Sequence, residues 1–290
     1  FTPSNAYQKT YSNEYNQSLF WRPELIWNKK TGFLKLLSCV SNQLRIRSTR
    51  KLNTLEVSDL LNPLNVDVLD NTLITSAYSV RNSLYLFRTS AKFNGHYIIN
   101  KNLNKSLLAT GFDAKAIEFN ELMFRWNIVP SFSLKTEGQQ GNKTSSVDYT
   151  QGRNYRIRYQ FVRMELSYQP STNYRMAIDS KLSSKANESI YGGEQSNSKE
   201  LGVEFKYNTT EKGSIQGSLK YLNLTFNGNP LSPVAFEMLE ALRPGSNYTW
   251  SLNWQRNVGK NLQLNLVYSG RKPAENKVVH NGGMELRAFF

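Results

Sequence analysis

The chain ends Gly282-Gly-Met-Glu-Leu-Arg-Ala-Phe-Phe290. Strand side chains alternate with period two, so Met284, Leu286, Ala288 and Phe290 share one face of this segment and Glu285, Arg287 and Phe289 the other. A chain that closes on an apolar-out strand with a terminal aromatic reads as the last strand of a transmembrane β-barrel. Working back from it, Tyr248, Trp250, Leu252 and Trp254 alternate with Thr249, Ser251 and Asn253. After Asn257 to Asn261, Leu262, Leu264, Leu266 and Tyr268 alternate with Gln263, Asn265 and Val267, which makes a hairpin with one apolar and one polar face. Leu201, Val203, Phe205 and Tyr207 repeat the pattern, as do Tyr174, Met176 and Ile178.

Two segments change phase. In Tyr155–Tyr168 the apolar positions run Tyr155, Ile157, Tyr159, Phe161 and then Val162, Met164, Leu166, Tyr168. A one-residue bulge would return all eight to one side, and the same device is expected at Tyr221-Leu222 within Ile215–Phe226.

Connection lengths alternate. Pro170–Asn173, Asn208–Gly213 and Asn257–Asn261 are short and rich in turn residues, whereas Gly141–Asn154, Ser184–Ser198, Gly228–Ser246 and Gly270–Lys277 are long. Short turns at one end and long loops at the other predict an outer-membrane barrel with the short turns periplasmic. In the longest loop Ser232 suits a helix cap and Pro233 the first helical position, with Pro244-Gly245 as the stop. Val234, Met238, Leu239 and Leu242 would form the apolar stripe of that helix, available to the barrel mouth or to a partner.

The first half of the chain is expected to hold strands near Leu19–Trp27, Phe33–Arg47, Ile74–Phe87, Lys92–Asn100, Glu118–Trp126 and Phe132–Glu137, with an insertion at Leu52–Thr72. Counting back from Phe290 gives roughly thirteen strands, and a closed bacterial barrel has an even number, here about fourteen. Ala6–Tyr15 is a candidate partial first strand, or upstream strands belong to a longer protein. Residues 1–290 are read as one barrel domain, the C-terminal part of that longer protein.

Composition is compatible with this reading. Mean hydropathy is −0.54, but a barrel strand needs only about 9–11 residues to cross and shows lipid only alternate ones. The densest apolar stretch, Phe33–Val40, is interrupted by Lys35 and Ser38 and is far short of the roughly 18 residues of a spanning helix. The 16 Tyr, 15 Phe and 5 Trp suit the aromatic girdles at the water–lipid boundary. The net charge of +14 is scattered through strands and turns without a nucleic-acid-binding motif, so no nucleic-acid partner is expected. A basic lumen or rim accounts for it. With one cysteine, Cys39, and two histidines, His96 and His280, neither a disulfide, a metal site nor a cofactor is expected.

The stretches Glu237-Met-Leu-Glu-Ala-Leu-Arg-Pro-Gly-Ser-Asn-Tyr-Thr-Trp250, Trp254-Gln-Arg-Asn257, Lys260-Asn-Leu-Gln-Leu264 and Val279-His-Asn-Gly-Gly-Met-Glu-Leu-Arg-Ala-Phe-Phe290 resemble the C-terminal β-barrel region of large outer-membrane proteins of Bacteroidota. The resemblance implies outer-membrane localisation and substantial sequence before the barrel. It supplies no catalytic or binding residues.

Three functions follow for comparison. The first is a non-enzymatic barrel, either a subunit or anchor of an outer-membrane assembly or a porin. Arg156, Arg158, Arg163, Arg175, Lys181, Glu204, Lys206, Glu285 and Arg287 are its expected lumen residues, net basic. The second is a barrel enzyme, for which His280, with Glu275 and Ser269 nearby in sequence, offers a candidate base; no catalytic residue is assigned. The third is a secreted soluble β-protein binding an acidic partner, which must bury the Tyr248–Trp254 and Leu262–Leu266 face under a second sheet. The favoured expectation is the assembly subunit, with outer-membrane lipids and other outer-membrane or periplasmic proteins as partners. Deleting Phe289 and Phe290 should reduce membrane assembly far more than removing two loop residues, measured as the fraction of heat-modifiable protein in the membrane, because it shortens a closing strand in lipid.

Overall fold

The computed structural model describes residues 10–22, 37–51, 73–88 and 90–289, apart from 150, 210, 211, 241, 260 and 276. The expected insertion Leu52–Thr72, the outer part of Leu19–Trp27, the first residues of Phe33–Arg47 and Phe290 lie outside them. The described strands are β1 (Thr10–Trp21), β2 (Leu37–Lys51), β3 (Leu73–Leu86), β4 (Phe93–Leu108), β5 (Gly111–Val129), β6 (Phe132–Val147), β7 (Tyr155–Tyr168), β8 (Tyr174–Asn187), β9 (Gln195–Thr209), β10 (Gly213–Asn227), β11 (Gly245–Asn257), β12 (Leu262–Lys272) and β13 (Val279–Ala288). Among the described residues one short α-helix, α1 (Pro233–Leu239), and two single 3-10 turns, Gln151–Arg153 and Ser189–Tyr191, interrupt them.

All thirteen form one sheet in sequence order, each strand beside its chain neighbours. This is the all-β antiparallel, up-and-down architecture expected from the sequence. The strands fall into two compact units: Phe1–Arg88 with His96–Glu121 and Gln140–Arg158, and Thr89–Gly95 with Leu122–Gln139 and Tyr159–Phe290.

In the first unit β1 pairs with β2 and β2 with β3, the latter with register shifts at Leu37/Cys39 and Thr49/Arg50. Cross-strand ion pairs link Arg45 to Glu14 at 2.7 Å and Lys101 to Glu118 at 2.7 Å. Leu19, Phe20 and Trp21 end β1 and do not begin a separate strand, so the described parts of the expected Ala6–Tyr15 and Leu19–Trp27 lie in one element. β4 and β5 run longer than expected, and β6 takes in Gly141–Val147, which the sequence reading gave to a loop. Gly-Asn-Lys-Thr-Ser-Ser is polar on both faces, so it has no alternation to reveal a strand.

The second unit carries the clearest pattern. From β8 to β13 the registers run without a shift: Ile178 faces Val203, Val203 faces Leu219, Leu219 faces Trp250, Leu252 faces Tyr268, and Leu266 faces Met284. The alternating apolar residues therefore fuse into one continuous apolar face over six strands. It is not covered by a second sheet. Met284 is 74% and Leu286 60% exposed, and Val162, Met164, Leu201 and Leu219 are exposed as well. Met284 and Leu286 lie opposite Leu266 and Leu264 of β12, the pairing that the final loop length predicts.

Two glycines make room on this face. A Cβ at Gly270 would stand 2.3 Å from the indole of Trp250, its cross-strand neighbour, and one at Gly217 would stand 2.3 Å from the ring of Phe205. Each ring fills the space that a side chain at its glycine would need. Gly270→Ala should displace the indole and destabilise the folded state by about 1–3 kcal/mol, read by urea titration of Trp fluorescence in lipid vesicles; unchanged stability would show that the indole's place is immaterial.

Candidate functional site

Two aromatic rows bracket the apolar face. On the short-turn side the rings of Phe132 and Tyr168 are 4.5 Å apart and those of Tyr168 and Tyr174 6.4 Å, with Tyr207 opposite Tyr174. On the long-loop side Tyr221 and Tyr248 are 5.1 Å apart, and His280 stacks on Tyr268 at 6.0 Å and bonds its hydroxyl through Nδ1 at 2.8 Å. Trp254 to Tyr248 is a step of roughly 20 Å at about 3.4 Å per residue, on the order of the apolar band of an outer-membrane barrel once the rings add to each end.

The opposite face is polar and its charges are largely matched. Arg175 pairs with Glu165 at 2.8 Å, Lys220 with Glu200 at 2.8 Å and Arg287 with Glu285 at 2.9 Å. Arg163 lies 3.5 Å from Asp179 and 4.0 Å from Glu165. Gln216 donates to Glu204 at 3.2 Å, and Ser218 and Ser251 hydrogen-bond at 2.7 Å. Lys181 sits 4.6 Å over the Phe161 ring. Register and alternation thus place Arg163, Arg175, Lys181, Glu204, Lys206, Glu285 and Arg287 on the polar face, as expected.

Arg156 and Arg158 are a correction. Exposure alternates through β7 without interruption, with Ile157 1% exposed, so these arginines share a side with Val162, Met164 and Leu166 and not with Arg163. No bulge restores the phase. Nor is there one in β10, whose register is unbroken from Gly213 to Asn227 against β9. Instead Leu222, Leu224 and Phe226 genuinely change to the polar face, which β10 leaves apolar beyond Lys220.

The reason is α1. Leu224 packs with Ala235 and Leu239, and Phe226 and Leu242 close around them. Ser232 caps the helix, its Oγ accepting from the Ala235 N–H at 3.0 Å, as the sequence implies. The helix stops at Leu239, before Pro244-Gly245, with Glu240 at φ 53° in the left-handed region. Val234, Ala235, Met238 and Leu239 are all buried. The expected stripe is therefore spent on the chain's own wall.

Polar anchors finish the seat. Lys185 of β8 donates from Nζ to the Met238 carbonyl at 2.9 Å and to Glu240 at 2.6 Å, a cation at a helix C-terminus. Asn247 of β11, 1% exposed, donates to the Arg243 and Gly245 carbonyls at 2.9 and 3.0 Å and accepts from the Ala274 N–H at 3.3 Å. Lys185 and Asn247 were not singled out in the sequence; their isolated positions gave no signal.

The structure does not bring Ser269 and His280 together. His280 is on the apolar face against Tyr268 and Trp250, and Ser269 is on the polar face opposite Asn281.

No family model and no curated protein matches the sequence. Among solved structures the chain is similar to the outer-membrane channel DcaP of Acinetobacter baumannii, at 8% identity, covering 97% of each chain, with a TM-score of 0.46. It is also similar to the translocator domain of the autotransporter NalP from Neisseria meningitidis, at 10% identity over 99% of this chain and 90% of that one, TM-score 0.33. A third is the TodX monoaromatic hydrocarbon channel deltaS2 mutant, at 9% identity over 97% and 83%, TM-score 0.37.

Asn247→Ala should leave the Arg243 and Gly245 carbonyls and the Ala274 N–H without the Asn247 side chain and cost about 1–3 kcal/mol. Faster limited proteolysis between Leu242 and Gly245, with the strands still protected, is the expected readout.

Proposed function

We propose that the chain is an integral β-barrel of the bacterial outer membrane, non-enzymatic, whose polar face lines a water-filled, net-basic passage for small hydrophilic solutes. The carrying observation is the two-sided wall: an exposed apolar face held between two aromatic rows, backed by a polar face with its own matched ion pairs. A soluble protein has no use for such a face left open over six strands. Lipid does. A dry core behind the sheet, conversely, would not hold Arg163, Arg175, Lys181, Lys206 and Lys220 beside Asp179, Glu165 and Glu200 without water.

A second reading is the subunit or anchor of an outer-membrane assembly, in keeping with the resemblance of the chain's ending to Bacteroidota C-terminal barrels. Leu231, Ile190 and Phe236, exposed at the long-loop end, favour it. The α1 stripe no longer supports it, because β10 covers that stripe. Purification in mild detergent separates the two readings: a lone conducting barrel favours the passage, and co-purifying subunits with no conductance favour the assembly.

The face assignment has its own test. Leu252→Arg, in the middle of the apolar band, should cost about 2–4 kcal/mol in folding into vesicles, whereas Ser251→Arg on the adjacent polar position should cost little. Equal costs, or the reverse order, would sink the barrel reading.

A further inference from the structure

We propose that α1 with its flanks, residues 231–240, is a constriction element, folded onto the inner wall at the long-loop mouth, that limits what enters the passage; this rests on the passage reading above. The level of the helix follows from the register. Leu224 and Phe226 lie three and five residues beyond Tyr221, the long-loop aromatic row, so α1 docks just past the membrane band on the polar face. Its buried positions, Val234, Ala235, Met238 and Leu239, point at the wall. With 3.6 residues per turn, Pro233, Phe236 and Glu237 occupy the remaining arc, and Phe236 is 68% exposed. That arc faces away from the wall, on the side that lines the proposed passage.

The seat is specific to this position. An apolar pair inside an otherwise hydrophilic wall would bind solute poorly and waste solvation unless covered, and α1 supplies the matching stripe. Lys185 then clamps the far end, bonding both the last turn's Met238 carbonyl and the Glu240 side chain, where the chain turns out of the helix with a left-handed non-glycine residue. A clamp across β8, β10 and β11 resists displacement of the loop into solvent. The exposed surface of the element carries the Phe236 ring, so it narrows the mouth.

The test uses the whole chain in planar bilayers with potassium chloride. One variant replaces Leu231–Glu240 by a short Gly-Ser linker, and a second is Lys185→Met; heat-modifiable migration on gels confirms that each is folded. The linker variant should raise single-channel conductance roughly twofold or more, with Lys185→Met shifted in the same direction or flickering between two levels. A parent that is closed and a linker variant that conducts would support the inference equally. If parent and linker variant conduct alike, the constriction is overturned and the passage stands. If neither conducts, both fall.

Discussion

An environment without water obliges every backbone N–H and C=O to find a partner within the protein. Neighbour-to-neighbour antiparallel pairing meets that obligation for the strands that lie between β1 and β13, and it leaves side chains free to differ between the two faces. The unbroken registers from β8 to β13 are what let isolated alternations add up to a surface. One slip would carry a strand's apolar residues to the charged side. The Gly270–Trp250 and Gly217–Phe205 pairs act at this level: each fixes which residue stands opposite which, since a side chain at the glycine would expel the ring.

Charge follows the same partition. The basic excess of the chain looked like a question of partners, yet on the polar face it is mostly a question of neighbours. Arg163, Asp179 and Glu165 form a connected group, and Gly202 is glycine beside it because a Cβ there would fall 2.4 Å from the Asp179 carboxylate. Ion pairs on a solvated wall add little stability each. They prevent a lining of lysines and arginines from repelling itself.

The sequence disclosed the fold where side-chain chemistry and strand period coincide. Met284, Leu286, Trp250, Trp254 and Phe205 announce themselves by alternation, and so do Ser232 and Pro233 by capping chemistry. Polar strand ends such as Gly141–Val147 were hidden, because a strand that is hydrophilic on both sides carries no period. The phase changes in β7 and β10 were visible but open to two explanations, and local repair by a bulge is the one that ignores what lies across the sheet. In β10 the change of face is a binding surface for a helix a few residues downstream. Arg156 and Arg158 were misplaced with β7 for the same reason. Lys185 and Asn247 act through backbone carbonyls that only the folded loop brings within reach, which no spacing rule encodes.

Leu224 and Ala235 are eleven residues apart, and this proximity along the chain has a kinetic meaning. Contacts so local close early, with little loop entropy to overcome. The mouth element can therefore dock as soon as β10 has a partner, before distant strands have found theirs. The apolar core of this element is set by β10 and the loop that follows it, so changes there can reshape the seat of α1 while leaving the long-range strand pairings untouched.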